Sequence, residues 1–466
     1  MERPSRLRRA VVVFLAMAAA VMMMIMITGA APPASPPVNL VIDGLPVTGE
    51  PRPFIENGRT LVPLRLVSEH LDLSVRWDPD RRSITVSGPS GELFLLVNNP
   101  AARWQGGPIL MDVPPRLVSN RTMVPIRLIA ETFGAQVRWD EARRTVSITT
   151  DAPAAGGVLA PEPVLDLSLL PAGLSPASLQ AAWGPADRES TDLQGVRWLV
   201  YNRPDRYVRA GFTGDGLAGL FASGSYWRVG SVDGSTTIAQ ARRLLDVREQ
   251  SRTHWRGNDF VFYCSDLRDG HLPVAWLGGR PVMLYVDEPE NKITGALVMD
   301  TDAFMALDPA QMTGCSYRYQ GNTPVPPVKP LTGTALEQAQ QGEAMTLLEL
   351  VNFERSRRGL PTLEWNDGLA RAALGHSRDM NRNGFVGHQS PSSGSPLDRV
   401  LAQGINPCLV VENIAAGFPD AVTAHQALMN SAGHRDNILH PEIRYFGSGV
   451  VDHHYTALSS SCIRPR

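Results

Sequence analysis

An internal repeat restricts the fold of this chain more tightly than any other feature. RTLVPLRLVSEHLDLSVRWDPDRRSITV, from Arg59, returns as RTMVPIRLIAETFGAQVRWDEARRTVSI from Arg121. Such self-similarity marks a duplicated supersecondary unit. Each copy begins with a proline, Pro63 or Pro125, suited to a helix's first turn. Apolar residues then recur one turn apart: Val67 and Leu71, Ile129 and Phe133. A short strand follows, with Val75 and Trp77, or Val137 and Trp139, on one face. After a polar turn, a second strand alternates Ile84 and Val86, or Val146 and Ile148. A helix followed by a hairpin cannot bury its apolar face alone, so the two copies are expected to pack together.

The 466 residues exceed what one core normally organises, and two to four domains are expected. Apolar residues make up 43% and charged residues 19%, a balance that suits globular domains joined by linkers. Two Pro/Gly/Ala-rich stretches read as linkers, over 151–163 and 321–335. They delimit domains over 38–150, 164–320 and 336–466. With a formal net charge of −2 and no basic run beyond the N-terminus, a nucleic-acid partner is not expected.

Arg3, Arg6, Arg8 and Arg9 precede an apolar run over residues 10–28. Residues 1–31 therefore read as an export signal cleaved near Ala30 or Ala31, or as a retained membrane anchor with its arginines on the cytoplasmic side. Either way the remainder is expected outside the cell or in its envelope, touching the membrane only through this segment. None of the four cysteines forms a CxxC, which argues against a cysteine-only zinc site. In an oxidising compartment the even split suggests Cys264–Cys315 and Cys408–Cys462; the alternative is four buried thiols.

The middle segment offers a capped helix in GLSPASLQAAWGPADRE, with Ser175 as N-cap, Pro176 at the first position and Gly184 as the stop. VRWLVY from Val196 and RYVRAGF from Arg206 read as strands, and DGSTTIAQARRLL from Asp233 as a second capped helix. Trp183, Trp198 and Tyr201 are expected in the core.

The C-terminal segment carries the chemistry. EAMTLLELVNFERSRRGLPTLEWNDGLARAALGHSRDM reads as two helices separated by a turn at Gly359–Pro361. Leu369, Ala373, His376 and Met380 recur at helical spacing, so His376 faces inward. NGFVGHQSP is a loop presenting His388. Glu412 ends the apolar run of VVENIAAG, and His434 lies just beyond a helix closed by Met429.

The motifs HS.DM, F..H.SP, ENIA.G and NS.GHR.NIL, in that order, resemble the CAP superfamily of cysteine-rich secretory, venom-antigen and plant pathogenesis-related proteins, in its bacterial form, over about residues 342–455. The resemblance implies a three-layer α-β-α sandwich with a groove lined by His and Glu. His388 and His434 match the paired cavity histidines, Glu412 matches the glutamate of the GEN motif, and His376 is the bacterial branch's additional histidine. Two histidines and a carboxylate are the ligand count of an open zinc site, with His376 as a fourth ligand or a supporting partner. This chain departs from the family pattern at Val411 (Gly), at Leu428 (Trp), and at Asn430 and Ser431, where the second cavity glutamate is missing. Asn413, Arg435 and Asn437 read as loop ties, and His453 and His454 as surface residues.

The repeat, with its paired RT.VP.R…V.WD motif, resembles the copper amine oxidase N-terminal-like domain of exported bacterial proteins, which implies a stalk or wall-facing module. Copper is not expected there, because His70 is its only histidine and Thr132 replaces it in the second copy. The middle segment resembles the domain called CAP-associated. The fold class is therefore α+β and multidomain.

Three functions compete. No Ser-His-Asp arrangement can be assigned from the sequence, which favours a non-catalytic binding module whose groove takes a lipid, glycan or peptide beside a cell-wall or envelope component. A metal-dependent hydrolase would place zinc on His388 and His434, with Glu412 as its base. An envelope or spore-coat component would depend on the stalk and not on the cavity.

Overall fold

The strand that leads into each helix of the repeat is the contact between the two copies. In the computed structural model, which describes residues 37–150, 164–171, 173–264, 274–313, 315–322 and 330–465, Arg121–Pro125 pairs antiparallel with Arg59–Pro63, and Val124 lies opposite its counterpart Val62. Each strand runs directly into a seven-residue helix, Leu64–His70 or Ile126–Thr132. Pro63 and Pro125 stand one residue outside the expected helical turn: they end the strands and serve as N-caps with ψ of 119° and 117°. At a strand end no ladder N–H is required of them. Val67, Ile84, Val86, Ile129, Val146 and Ile148 share one buried cluster.

The hairpins then diverge. The first, Ser74–Asp78 with Ser83–Gly88, continues through three more strands into a five-stranded sheet. The second, Gln136–Asp140 with Thr145–Thr149, instead takes Asn39–Ile42 as a parallel neighbour. Trp77 is 41% exposed, whereas Trp104, from the extra strands, lies edge-on to Phe133 at 5.0 Å.

The middle segment is built on an antiparallel seven-stranded sheet. Its helix Pro176–Trp183 begins at Ser175, which closes a capping box with Ser178, and stops at Gly184. The second helix, Ile238–Leu244, is capped by Thr237. Trp183, Trp198 and Tyr201 are buried. One face of the sheet packs on these helices through Leu179, Trp183 and Ala241. The other face accepts Leu350 and Phe353 from the helix Gly333–Arg357, so the last two segments share a core. Arg188 holds Glu349 of that helix through two hydrogen bonds of 2.6 and 2.8 Å, and the Tyr207 hydroxyl donates to the same carboxylate at 2.7 Å.

The helix Gly333–Arg357 starts inside the stretch read as a linker. The signal or anchor, the linker 151–163 and residues 323–329 lie outside the described residues. Among the described residues no helix is long and apolar enough to cross a membrane. The cysteines pair as Cys264–Cys315 and Cys408–Cys462, the latter beside the two-stranded sheet of Ile405–Pro407 and Ile463–Pro465.

In the C-terminal part a four-stranded sheet runs in the order Glu364–Trp365, Tyr445–Val451, His454–Ser460, Val410–Ala416. Alternation along Tyr445–Val451 sends its two sides to different helices. Gly447 and Gly449 face Asp367–Asn383 so closely that an added Cβ would stand 2.2 Å from the backbone of Ala370 or Leu374. Phe446 and Val450 pack with Leu347 and Val351 of Gly333–Arg357 on the other side, where the Ser448 hydroxyl donates to the Ala344 carbonyl at 2.7 Å.

Candidate functional site

Glu412 sits within the strand Val410–Ala416, opposite Leu458, and is only 6% exposed. A carboxylate that deep needs partners, and it has two. His388 Nδ1 stands 2.9 Å from Oε1, and Arg399 Nη2 donates to Oε2 at 2.5 Å. Because a carboxylate accepts, Nδ1 of His388 is the donor in this bond, while Nε2 is left outside it. Arg399 also donates to the carbonyls of His388 and Gly394, at 3.1 and 2.7 Å. One buried guanidinium thus fastens both the glutamate and the loop that carries the histidine.

That loop leaves the helix Asp367–Asn383 at Gly384, whose left-handed backbone (φ 65°) closes the last turn. Asp379 accepts hydrogen bonds from Ser390 and Ser392 and anchors the loop's far side. His376 is fully buried, as its spacing predicts, but it turns toward this loop and not toward Glu412. Its Nε2 donates to the Gly387 carbonyl at 2.9 Å, leaving Nδ1 buried without a partner. Burial, and then the neighbouring Arg399 charge, hold its pKa below the usual histidine value.

His434 lies beyond the helix that ends near Met429, as expected, but inside a second one. The helix Ala421–Asn430 breaks at Ser431, which is extended (φ −95°, ψ 120°), and a second helix, Ala432–Ile438, contains His434. Its Nδ1 lies 3.0 Å from the Ser431 hydroxyl. Burial, and secondarily His388, lower its pKa, so the two imidazoles are near enough to repel when charged. Asn413 Nδ2 donates to the His434 carbonyl, and Asn437 Nδ2 to the Glu412 carbonyl, at 3.0 and 3.2 Å. Arg435 ties its loop as expected, donating to the Met429 carbonyl at 3.1 Å, and also reaches into the middle segment, where it pairs with Asp287 and Glu290, each at 2.9 Å. His453 is half-buried, with Nδ1 2.9 Å from the Phe418 carbonyl.

The expected zinc set of His388, His434, Glu412 and His376 is thus not drawn into one ligand shell. Among the described residues no group of three or more His, Cys, Asp or Glu is arranged to hold a metal ion. Both carboxylate oxygens of Glu412 face protein donors, so as arranged the glutamate supports His388 and Arg399 and is not itself turned out as a ligand. Arg399 was missed because an arginine in SPLDR, on a short capped helix, reads as surface. His425 is buried. Neither ring nitrogen has a partner, and burial takes its pKa down to about 3. Beside it lies a cavity of about 10 Å³, room for one water, that Asn413, Asn437 and Ser459 also line.

Comparison with known proteins agrees with this architecture. Residues 348–458 match the model of the cysteine-rich secretory protein family. The C-terminal part is a CAP domain. Residues 173–309 match the CAP-associated N-terminal model, and residues 41–148 the copper amine oxidase N-terminal domain. The chain is 27% identical over 274 residues to the uncharacterized membrane protein YlbC of Bacillus subtilis (strain 168), covering 59% of this chain and 77% of that one. With the uncharacterized protein YkwD of the same organism it is 33% identical over 34% of this chain and 64% of that one. Among solved structures, an extracellular SCP-domain protein from Bacillus anthracis superposes with a TM-score of 0.58 at 26% identity, covering 66% of this chain and 99% of that one. In this CAP domain, then, His388, Glu412 and Arg399 form one hydrogen-bonded unit, and His434 with Ser431 forms another.

Proposed function

We propose that this is an exported protein of the cell envelope whose CAP cleft binds a lipid, glycan or peptide and does not transform it. The N-terminal domain acts as a wall-facing stalk, and the middle domain holds the cleft in place through the shared core. The observation that carries this reading is Glu412: Oε1 is engaged by His388 and Oε2 by Arg399, and with its side chain only 2% exposed the carboxylate is poorly placed to take a proton from a water. His388 is 55% exposed at its side chain and offers Nε2 to a ligand from a rigid base. Export is supported by the basic and apolar N-terminal residues and by the extracellular SCP-domain relative.

To test it, the purified chain is incubated with lipid, glycan and peptide pools, and retained molecules are identified by mass spectrometry. Retention that His388→Trp abolishes, by filling the cleft mouth, is the expected result. Retention unaffected by that change would refute the site. Zinc-dependent hydrolysis of casein or esters, lost in Glu412→Gln, would instead establish the metal hydrolase. A single contact favours a serine hydrolase, Ser431 Oγ against His434 Nδ1. Among the described residues no carboxylate pairs with His434 to orient it, and turnover lost in Ser431→Ala would reinstate that chemistry.

A further inference from the structure

In the CAP domain the helix Asp367–Asn383 forms one wall of an open groove that Arg399 also lines. Arg371, Gly375, Arg378 and Arg382 stand at i, i+4, i+7 and i+11, one stripe of the helix, and all four are exposed. Along the axis the guanidinium-bearing positions are about 10 Å and about 6 Å apart. Arg371 Nε donates to Gln403 Oε1 at 3.2 Å across the groove. Among the described residues, neither Arg378 nor Arg382 has an ion-pair partner. The one carboxylate in the lining, Asp379, already accepts from Ser390, Ser392 and Asn383. Gly375 has nothing within 4 Å of a built Cβ, so the middle of the stripe is open down to the backbone.

A second observation points to a ligand. Arg399, only 4% exposed, lines the same groove, and its Nε–H is buried with no acceptor while its other nitrogens hold Glu412 and the His388 loop. The whole chain carries a formal net charge of −2, so four arginines against one committed carboxylate are a local concentration and not a general property of the surface.

We propose that this groove binds a linear phosphodiester polyanion, with successive phosphates along Arg371, Arg378 and Arg382. Guanidinium forks match phosphate oxygens, and the spacing of the stripe suits charges strung along a chain. Among the described residues no aromatic side chain lines the groove, which leaves it without the stacking platform that single-stranded nucleic acids use. Arg399 makes the groove and the cleft two sides of one residue, and a polymer held here would bring the cleft up against an anionic envelope component.

The test measures binding of the full chain to poly(glycerol phosphate) by calorimetry, with poly-L-glutamate, a thymidine oligonucleotide and anionic phospholipid vesicles as competitors. Three phosphate contacts give a log–log salt slope of about −2, or roughly 20-fold weaker binding between 50 and 200 mM salt. Arg378→Gln/Arg382→Gln is expected to weaken binding at least about tenfold, with the thermal melting point unchanged to show the fold is intact. Gly375→Leu should weaken it as well, although no charge is lost. Arg65→Gln/Arg76→Gln, which removes two exposed charges from the N-terminal domain, should change nothing. Equal loss in that control, unchanged affinity in the groove variants, or tighter binding of polyglutamate, oligonucleotide or vesicles would each overturn the proposal.

Discussion

Replacing Arg399 by methionine keeps most of the side-chain volume and removes the charge that faces Glu412. Both partners are almost fully buried, with side chains 3% and 2% exposed, so solvent screens the pair little. Removing one member of a buried ion pair costs about 3–5 kcal/mol, because it leaves an uncompensated charge. The freed carbonyls of His388 and Gly394 sit beside an open loop, so water restores most of what they lose. Taking about 4 kcal/mol, and about 2–4 °C per kcal/mol for a unit of 150–250 residues, the melting point should fall by roughly 8–16 °C. Differential scanning calorimetry on Arg399→Met, Glu412→Gln and the double variant measures this. The double variant should recover at least about 2 kcal/mol of the summed single losses, since the two groups are in direct contact. A fall under about 2 °C for Arg399→Met, or strict additivity of the two changes, would refute the inference that Arg399 fastens Glu412 to the His388 loop.

Two glycines on facing elements should respond in opposite directions to alanine. Gly449→Ala places a Cβ 2.2 Å from the Leu374 backbone and should destabilise by at least about 1–3 kcal/mol, whereas Gly375→Ala, in open space on a helix, should stabilise by roughly 0.5–1 kcal/mol; urea titration of both variants decides. The interface between the middle and CAP domains should carry a pH signature. Burial takes Glu343 up to about 8 and Asp192 up to about 6, with Asp420 and Arg209 as their charged neighbours. A group raised in the folded state stabilises fully below its unfolded pKa and loses that contribution as pH rises through the folded value. The melting point of Glu343→Gln relative to the parent should therefore climb between pH 5 and 9. A difference that stays flat across that range would show that Glu343 does not hold its proton in the fold.

Local signals were readable wherever neighbours in sequence decide the conformation. The Ser175 cap, the Pro176 start and the Gly184 stop need only a few residues of context, and the helix Pro176–Trp183 obeys them. The spacing of Leu369, Ala373, His376 and Met380 likewise places all four in the interior, because a helical stripe is a property of the segment itself. The repeat announced two equivalent units, yet the two hairpins acquire different neighbours, and that difference comes from strands outside the repeat.

What the sequence alone determined is the local elements and most of their apolar faces, with Trp77, which is exposed, and Arg399, which is buried, as exceptions. The direction of a buried polar atom is another matter, since it depends on whichever donor or acceptor the rest of the chain brings within 3 Å. His376 is inward as expected but meets the Gly387 carbonyl, and Glu412 meets Arg399, a residue thirteen positions away on a helix that reads as surface. Only the tertiary structure placed that guanidinium beside the carboxylate. Electrostatics then fixed the role of Glu412, because a guanidinium held at 2.5 Å makes it one half of an anchored ion pair.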